Sequence, residues 1–231
     1  MSKYKHIFFD LDHTLWDYDT NATDSLFELF DKHQLDKLDR FGKGDLAKTF
    51  FEVNYDLWDL YNVGEIQRPD IRERRFPAIF DRLGANRADV PATLELEYVS
   101  LAPTKSATFV GAHDILEYLS EKYELHIITN GFDDIQAIKL ESSNMDQFFD
   151  VIITSETTVY RKPDKEIFEL AMDRAGAQLE HSMMIGDNLE SDIRGAMNVG
   201  MDHVWFNPEG KDGRLAVQHE IKNLIELKGI L

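Results

Sequence analysis

Cysteine is absent from the 231 residues of this chain, which excludes disulfides, thiolate metal sites and a cysteine nucleophile together. Any chemistry must rest on oxygen and nitrogen groups. Basic residues are scarce as well: 25 Lys and Arg stand against 43 Asp and Glu, a net charge of −18. Nucleic-acid binding depends on neutralising phosphates with Lys and Arg and is not expected here. A small anionic ligand can be held only where a local cation and lysine reverse the field of the whole molecule. Long apolar runs are missing too, since none approaches the roughly 18–20 residues needed to cross a bilayer. Residues Met1 to His6 lead directly into an expected strand, with no signal-peptide pattern. The expectation is a cytoplasmic protein with no membrane association and no obligate protein partner.

What is present is an alternation of short apolar runs with helical periodicity, the pattern of βαβ construction. Strands are expected at Ile7–Asp10, Leu125–Thr129, Val151–Thr154, Met183–Gly186 and His203–Phe206. The first four are followed at once by polar residues or glycine, as in a parallel sheet whose loops at the strand C-termini carry function. Between the first two strands lie over a hundred residues without a comparable strand. There Leu26, Phe30 and His33, then Leu46, Phe50, Val53, Leu57 and Tyr61, then Phe76, Ile79, Phe80 and Leu83 recur at steps of three or four. That spacing predicts a small helical bundle. The expected organisation is an α/β doubly wound, Rossmann-like parallel-sheet core formed by residues 1–16 and 101–231, with an inserted helical-bundle cap over 17–100.

Four local patterns fall at the ends of four expected strands. Asp10-Leu11-Asp12-His13-Thr14 follows the first, with two carboxylates at i and i+2 that a strand would aim to one side. Thr129-Asn130-Gly131 follows the second, ahead of a helix opened by Asp133 and Asp134. A hydroxyl with successive backbone amides at a helix start makes an anion cradle. Arg161-Lys162-Pro163-Asp164 precedes another helix, with Pro163 expected at its first position. Gly186-Asp187-Asn188-Leu189-Glu190-Ser191-Asp192 follows the fourth strand, with one carboxylate in the loop and one near a helix start. Two carboxylates about 4 Å apart repel by roughly 4 kcal/mol at an effective dielectric of 20, so gathering Asp10, Asp12, Asp187 and Asp192 calls for a cation or for protonation.

These four patterns in this order, with a helical insertion just after the first, resemble the haloacid dehalogenase-like hydrolase superfamily, specifically its phosphatases. The resemblance implies that Asp10 is the nucleophile, forming an aspartyl-phosphate, and that Asp12 is the acid and base. It implies that Thr129, Asn130 and Gly131 bind the phosphoryl group and that Lys162 holds that group and the nucleophile together. It further implies Mg²⁺ bound by Asp10, the backbone carbonyl of Asp12, Asp187 and Asp192, all hard oxygen ligands. Position 13 is often glycine in that family, where this chain has His13. The sequences Leu15-Trp16-Asp17, Thr129-Asn130-Gly131-Phe132 and Tyr160-Arg161-Lys162-Pro163-Asp164 are similar to the branch of pyrimidine nucleotide 5′-monophosphatases. That likeness makes a nucleoside 5′-monophosphate, or another small phosphorylated metabolite, the expected substrate.

Three other activities share parts of this constellation. A 2-haloacid dehalogenase uses the aspartate nucleophile but matches less well at Asp12. A phosphomutase shares the aspartates and differs chiefly in its cap. A receiver-type signalling module also clusters aspartates with a Lys-Pro pair, but without a large insertion after the first strand. Within the expected cap, Arg68, Arg72, Arg74 and Arg75 read as a solvated helix face. The aromatic residues Trp16, Tyr18, Phe50, Phe51, Tyr55, Trp58 and Tyr61 read mostly as core. The eight histidines show no pair at metal-ligand spacing along the sequence.

Overall fold

The computed structural model describes residues 3–231. Strand β1 (His6–Phe9) leads into four helices, α1 (Tyr18–Lys32), α2 (Lys43–Asn62), α3 (Arg68–Arg82) and α4 (Leu94–Leu101). The chain then continues as α5 (Ala112–Ser120), β2 (Glu124–Ile128), α6 (Asp133–Ser142), β3 (Phe149–Ile153) and α7 (Lys165–Ala175). It ends with β4 (Ser182–Gly186), α8 (Arg194–Val199), β5 (Asp202–Phe206) and β6 (His219–Ile221). Two compact units result, one of Met1–Tyr18 with Ser106–Leu231 and the other of Asp19–Lys105.

In the first unit the described residues form a six-stranded sheet in the order β3-β2-β1-β4-β5-β6. All neighbouring pairs are parallel. Both faces are covered, which is why the strands read as apolar runs rather than as alternating sequences. Ile7 and Phe9 enter one core with Ile115, Leu116 and Leu119 of α5. Phe8, between them, enters the other with Ile167 and Phe168 of α7 and Ala196 of α8. Each such fully buried side chain contributes about 1.5–3 kcal/mol. The winding direction reverses between β1 and β4, so the loops after these two strands open on the crevice where doubly wound sheets bind ligands. Those loops carry Asp10 and Asp187.

The strand β6 is absent from the sequence expectation. It is three residues long and is defined by its backbone pairing with β5, which side-chain pattern does not report. Another correction concerns Pro163, expected at the first helical position. Helix α7 starts at Lys165, because residues 161–164 close a turn in which Asp164 N donates to Arg161 O at 2.7 Å.

The helical unit has an aromatic core. Phe50 of α2 lies with its ring centroid 4.8 Å from that of Tyr98 of α4 and 6.2 Å from that of Phe76 of α3. Helix α3 opens with Pro69 in its first turn, where a missing N–H costs nothing, and Asp70 Oδ2 accepts the Gln67 N–H at 2.8 Å. Arg75 departs from the solvated face expected of it. It is buried, stacks its guanidinium on Tyr98, is neutralised by Glu95 and donates a hydrogen bond to Asn54 Oδ1. Among the described residues no helix is long and apolar enough to cross a membrane.

Candidate active site

After β1 the chain tightens into a turn in which Leu11 O accepts N–H groups from Leu15 at 3.0 Å and Trp16 at 2.9 Å. His13 sits in this turn at φ +62°, a left-handed conformation that favours glycine. The turn carries Asp10 and Asp12 apart. Asp10 faces Lys162, whose Nζ donates to Asp10 Oδ1 at 2.5 Å and to Ile128 O at 2.7 Å, and lies 2.7 Å from Asp192 Oδ1. All three ammonium protons of this buried lysine therefore have acceptors. Burial works against its charge, but Asp10 and Asp192 outweigh that and raise its pKa.

Carboxylate oxygens of Asp10, Asp187 and Asp192 lie within 4.8 Å of one another. Thr14 links two of them: its hydroxyl lies 3.2 Å from Asp187 Oδ1 and 3.5 Å from Asp10 Oδ2, and it accepts the Asp187 N–H at 3.1 Å. Asp192 is fully buried and accepts the Asn188 N–H at 3.0 Å. It fits because residue 186 is glycine: a Cβ there would lie 2.2 Å from Asp192 Oδ2. Burial raises the pKa of Asp10 to about 7 against the pull of Lys162, and Asp192 adds to the rise. Asp187 is raised well above the carboxylate range by burial, with Asp192 and Asp10 adding to it. One lysine does not balance two buried carboxylates and a half-buried third, so this donor set fits a hard divalent cation.

The expectation that Asp12 joins the other carboxylates is corrected. Its oxygens lie 2.6 and 2.8 Å from Lys139 Nζ, and Gln136 Nε2 donates to it at 2.9 Å. Beyond Phe9 the chain is no longer a strand, so the i, i+2 rule does not apply to Asp12. Burial alone would raise its pKa, but Lys139 and Gln136 prevail and hold it below the usual range. The Lys139 ammonium also rests 4.6 Å from the Trp16 ring centroid. Sequence reading missed Gln136 and Lys139. Their spacing of three places both on one face of α6, a signal that becomes informative only once Asp12 is known to face that helix.

Thr129 is buried, and its hydroxyl oxygen accepts from Gln136 Nε2 at 2.7 Å and from Gly131 N at 3.1 Å. The Gly131 N–H is thus directed back onto Thr129, contrary to its expected place in an anion cradle. The glycine provides space, since a Cβ there would lie 2.1 Å from Gln136 Nε2. The Asn130 side chain accepts the Lys162 N–H at 2.8 Å and donates to Lys162 O at 3.0 Å, fixing the backbone from which the lysine reaches Asp10.

Comparison with known proteins places the chain in a family. Residues 4–200 match the haloacid dehalogenase-like hydrolase family. The pyrimidine 5′-nucleotidase YjjG of Escherichia coli is 30% identical over 99% of this chain and 98% of its own length. The pyrimidine 5′-nucleotidase PynA of Streptococcus pneumoniae is 30% identical over 93% of this chain and 89% of its own. The crystal structure of the HAD-hydrolase YfnB from Bacillus subtilis, bound to magnesium, superposes with a TM-score of 0.88 at 30% identity, covering 100% of this chain and 99% of that one. With that family match over most of its length, the chain belongs to the haloacid dehalogenase-like hydrolase family.

Proposed function

We propose that the protein is a Mg²⁺-dependent phosphomonoester hydrolase acting through an aspartyl-phosphate on Asp10. The observation that carries this reading is the grouping of Asp10, Asp187 and Asp192 around Lys162 at the ends of β1 and β4. Bound by these three carboxylates and the Asp12 carbonyl, Mg²⁺ would neutralise the substrate's phosphate charge and favour in-line displacement. Asp10 attacks phosphorus, and the bond to the leaving oxygen breaks as that oxygen takes a proton from Asp12; because Lys139 keeps Asp12 ionised, the step requires Asp12 to leave that ion pair and take up a proton from solvent first. Asp12 then removes a proton from water, which attacks phosphorus, frees inorganic phosphate and restores the Asp10 carboxylate. Lys162 keeps the nucleophile oriented, and Thr129 with the Asn130 amide binds the transferred group.

A second carboxylate in the first motif favours phosphoryl transfer over dehalogenation, which needs no proton donor for its halide leaving group. The nucleotidase relatives support a nucleoside 5′-monophosphate as substrate. The test is phosphate release from a panel of nucleoside monophosphates, sugar phosphates and phosphorylated acids, with and without Mg²⁺, and a 2-haloacid as control. Phosphate release should need Mg²⁺, stop on chelation and vanish in Asp10→Asn, whose amide cannot form the acyl phosphate. Substantial turnover by Asp10→Asn would overturn the mechanism.

A further inference from the structure

We propose that His6, Glu124 and His126 form a binding site for a zinc-type divalent cation at the start of β1 and β2. Sequence reading found no histidine pair because 120 residues separate the two imidazoles. The parallel pairing of β1 with β2 sets His6 beside Glu124 and Phe8 beside His126, so the three donors are diagonal and direct neighbours across two strands. His6 Nδ1 lies 3.2 Å from His126 Nε2 and 3.7 Å from Glu124 Oε2, and the three donor atoms fall within 4.8 Å of one another.

The separation of the two imidazole nitrogens is the one a small tetrahedral ion requires. Ligands held about 2.0–2.1 Å from Zn²⁺ sit roughly 3.3 Å from each other. The histidine pair is already at that spacing, and the solvent-exposed Glu124 side chain, 3.7 Å from His6 Nδ1, is free of packing that would stop it moving closer. Two imidazoles with one carboxylate select zinc and its first-row neighbours over Mg²⁺, which prefers an all-oxygen shell. Both imidazoles are buried, with residue exposures of 7% for His6 and 0% for His126, so the nitrogens are held in place while Glu124 leaves an approach from solvent. Burial, with His6 adding to it and Asp150 opposing, lowers the pKa of His126 to about 4, so the imidazole is uncharged at neutral pH and no proton on a second nitrogen need be displaced to bind a cation. The negative charge of the whole protein draws cations toward it.

This site lies at the opposite end of the strands from Asp10, separated along β1 by four residues or roughly 13 Å, and is independent of the proposed hydrolase activity. An ion there ties together the starts of two adjacent strands and stabilises the fold in proportion to its occupancy.

Calorimetric titration of the full-length chain with Zn²⁺ tests the inference, with Mg²⁺ in large excess to occupy the all-carboxylate site. One equivalent of zinc should bind, raise the melting temperature, and persist in Asp10→Asn. Glu124→Gln, which alters an exposed side chain and leaves the core intact, should weaken zinc binding by at least about tenfold, the lower end of what losing even an outer partner of a metal ligand costs. His6→Gln should weaken it further. Absence of zinc binding in the parent protein, or unchanged affinity in both variants, would overturn the proposal.

Discussion

Lys139 Nζ lies 2.6 and 2.8 Å from the two carboxylate oxygens of Asp12, so the second aspartate of the first motif is held by a helix 127 residues away in sequence. The contact fixes the carboxylate's place and its protonation state together. Replacing Lys139 with Met removes the cation while burial remains, and the pKa of Asp12 should therefore rise. A ¹³C-carboxyl titration reads that shift directly. Loss of the oriented carboxylate should also lower kcat by about 10²-fold, the lower end of what a positioned acid and base contributes; an unmoved Asp12 titration would sink the assignment.

Gly186→Ala tests the packing that seats Asp192. The new methyl group would stand 2.2 Å from Asp192 Oδ2 and 2.5 Å from its Cγ, so the carboxylate must move. The Mg²⁺ concentration for half-maximal activity should rise by about 10–100-fold although every ligand is retained. An unchanged Mg²⁺ activation curve would show that Asp192 is not needed at its observed position.

Lys162→Met leaves Asp10, Asp187 and Asp192 without their cation. Breaking a buried ion pair in this way costs about 3–5 kcal/mol, which denaturant unfolding in the presence of a chelator should register. Added Mg²⁺ binds the folded state alone and should return part of that loss. Equal destabilisation with and without Mg²⁺ would argue against a cation site among these carboxylates.

His126 predicts a pH dependence of stability in the metal-free protein. Burial lowers its pKa from 6.5 to about 4, so the folded state binds the proton less well than the unfolded state does. Its stabilising contribution is complete above about pH 6.5 and declines as pH falls toward 4. His6 on β1, Glu124 on β2 and Asp150 on β3 are the neighbouring titratable groups. Urea unfolding between pH 7 and 4 should show a smaller loss of stability in His126→Phe than in the parent protein. Parallel profiles would assign the acid sensitivity elsewhere.

Much of this architecture was legible in the chain itself. Ile7-Phe8-Phe9 and Met183-Met184-Ile185 read as buried parallel strands because both of their faces meet a core. The helical insertion showed in the spacing of Phe50, Val53 and Leu57. Strand β6 did not show, since a backbone ladder leaves little trace in three residues. Arg75 read as a surface charge because its partner, Glu95, lies on a different helix.

The sequence by itself determined which candidate groups are present and in what order they occur, since each motif is local and lies where an apolar run ends. Tertiary structure alone decided how those groups are paired. It set Asp12 against Lys139, tied Lys162 to Asn130, and set His6 against His126. Local periodicity fixes which way a side chain leaves its own element. The pairs Asn130–Lys162, His6–His126 and Asp12–Lys139, 32 to 127 residues apart, meet only when the order and register of the strands bring their elements together, and that depends on the packing of the whole sheet.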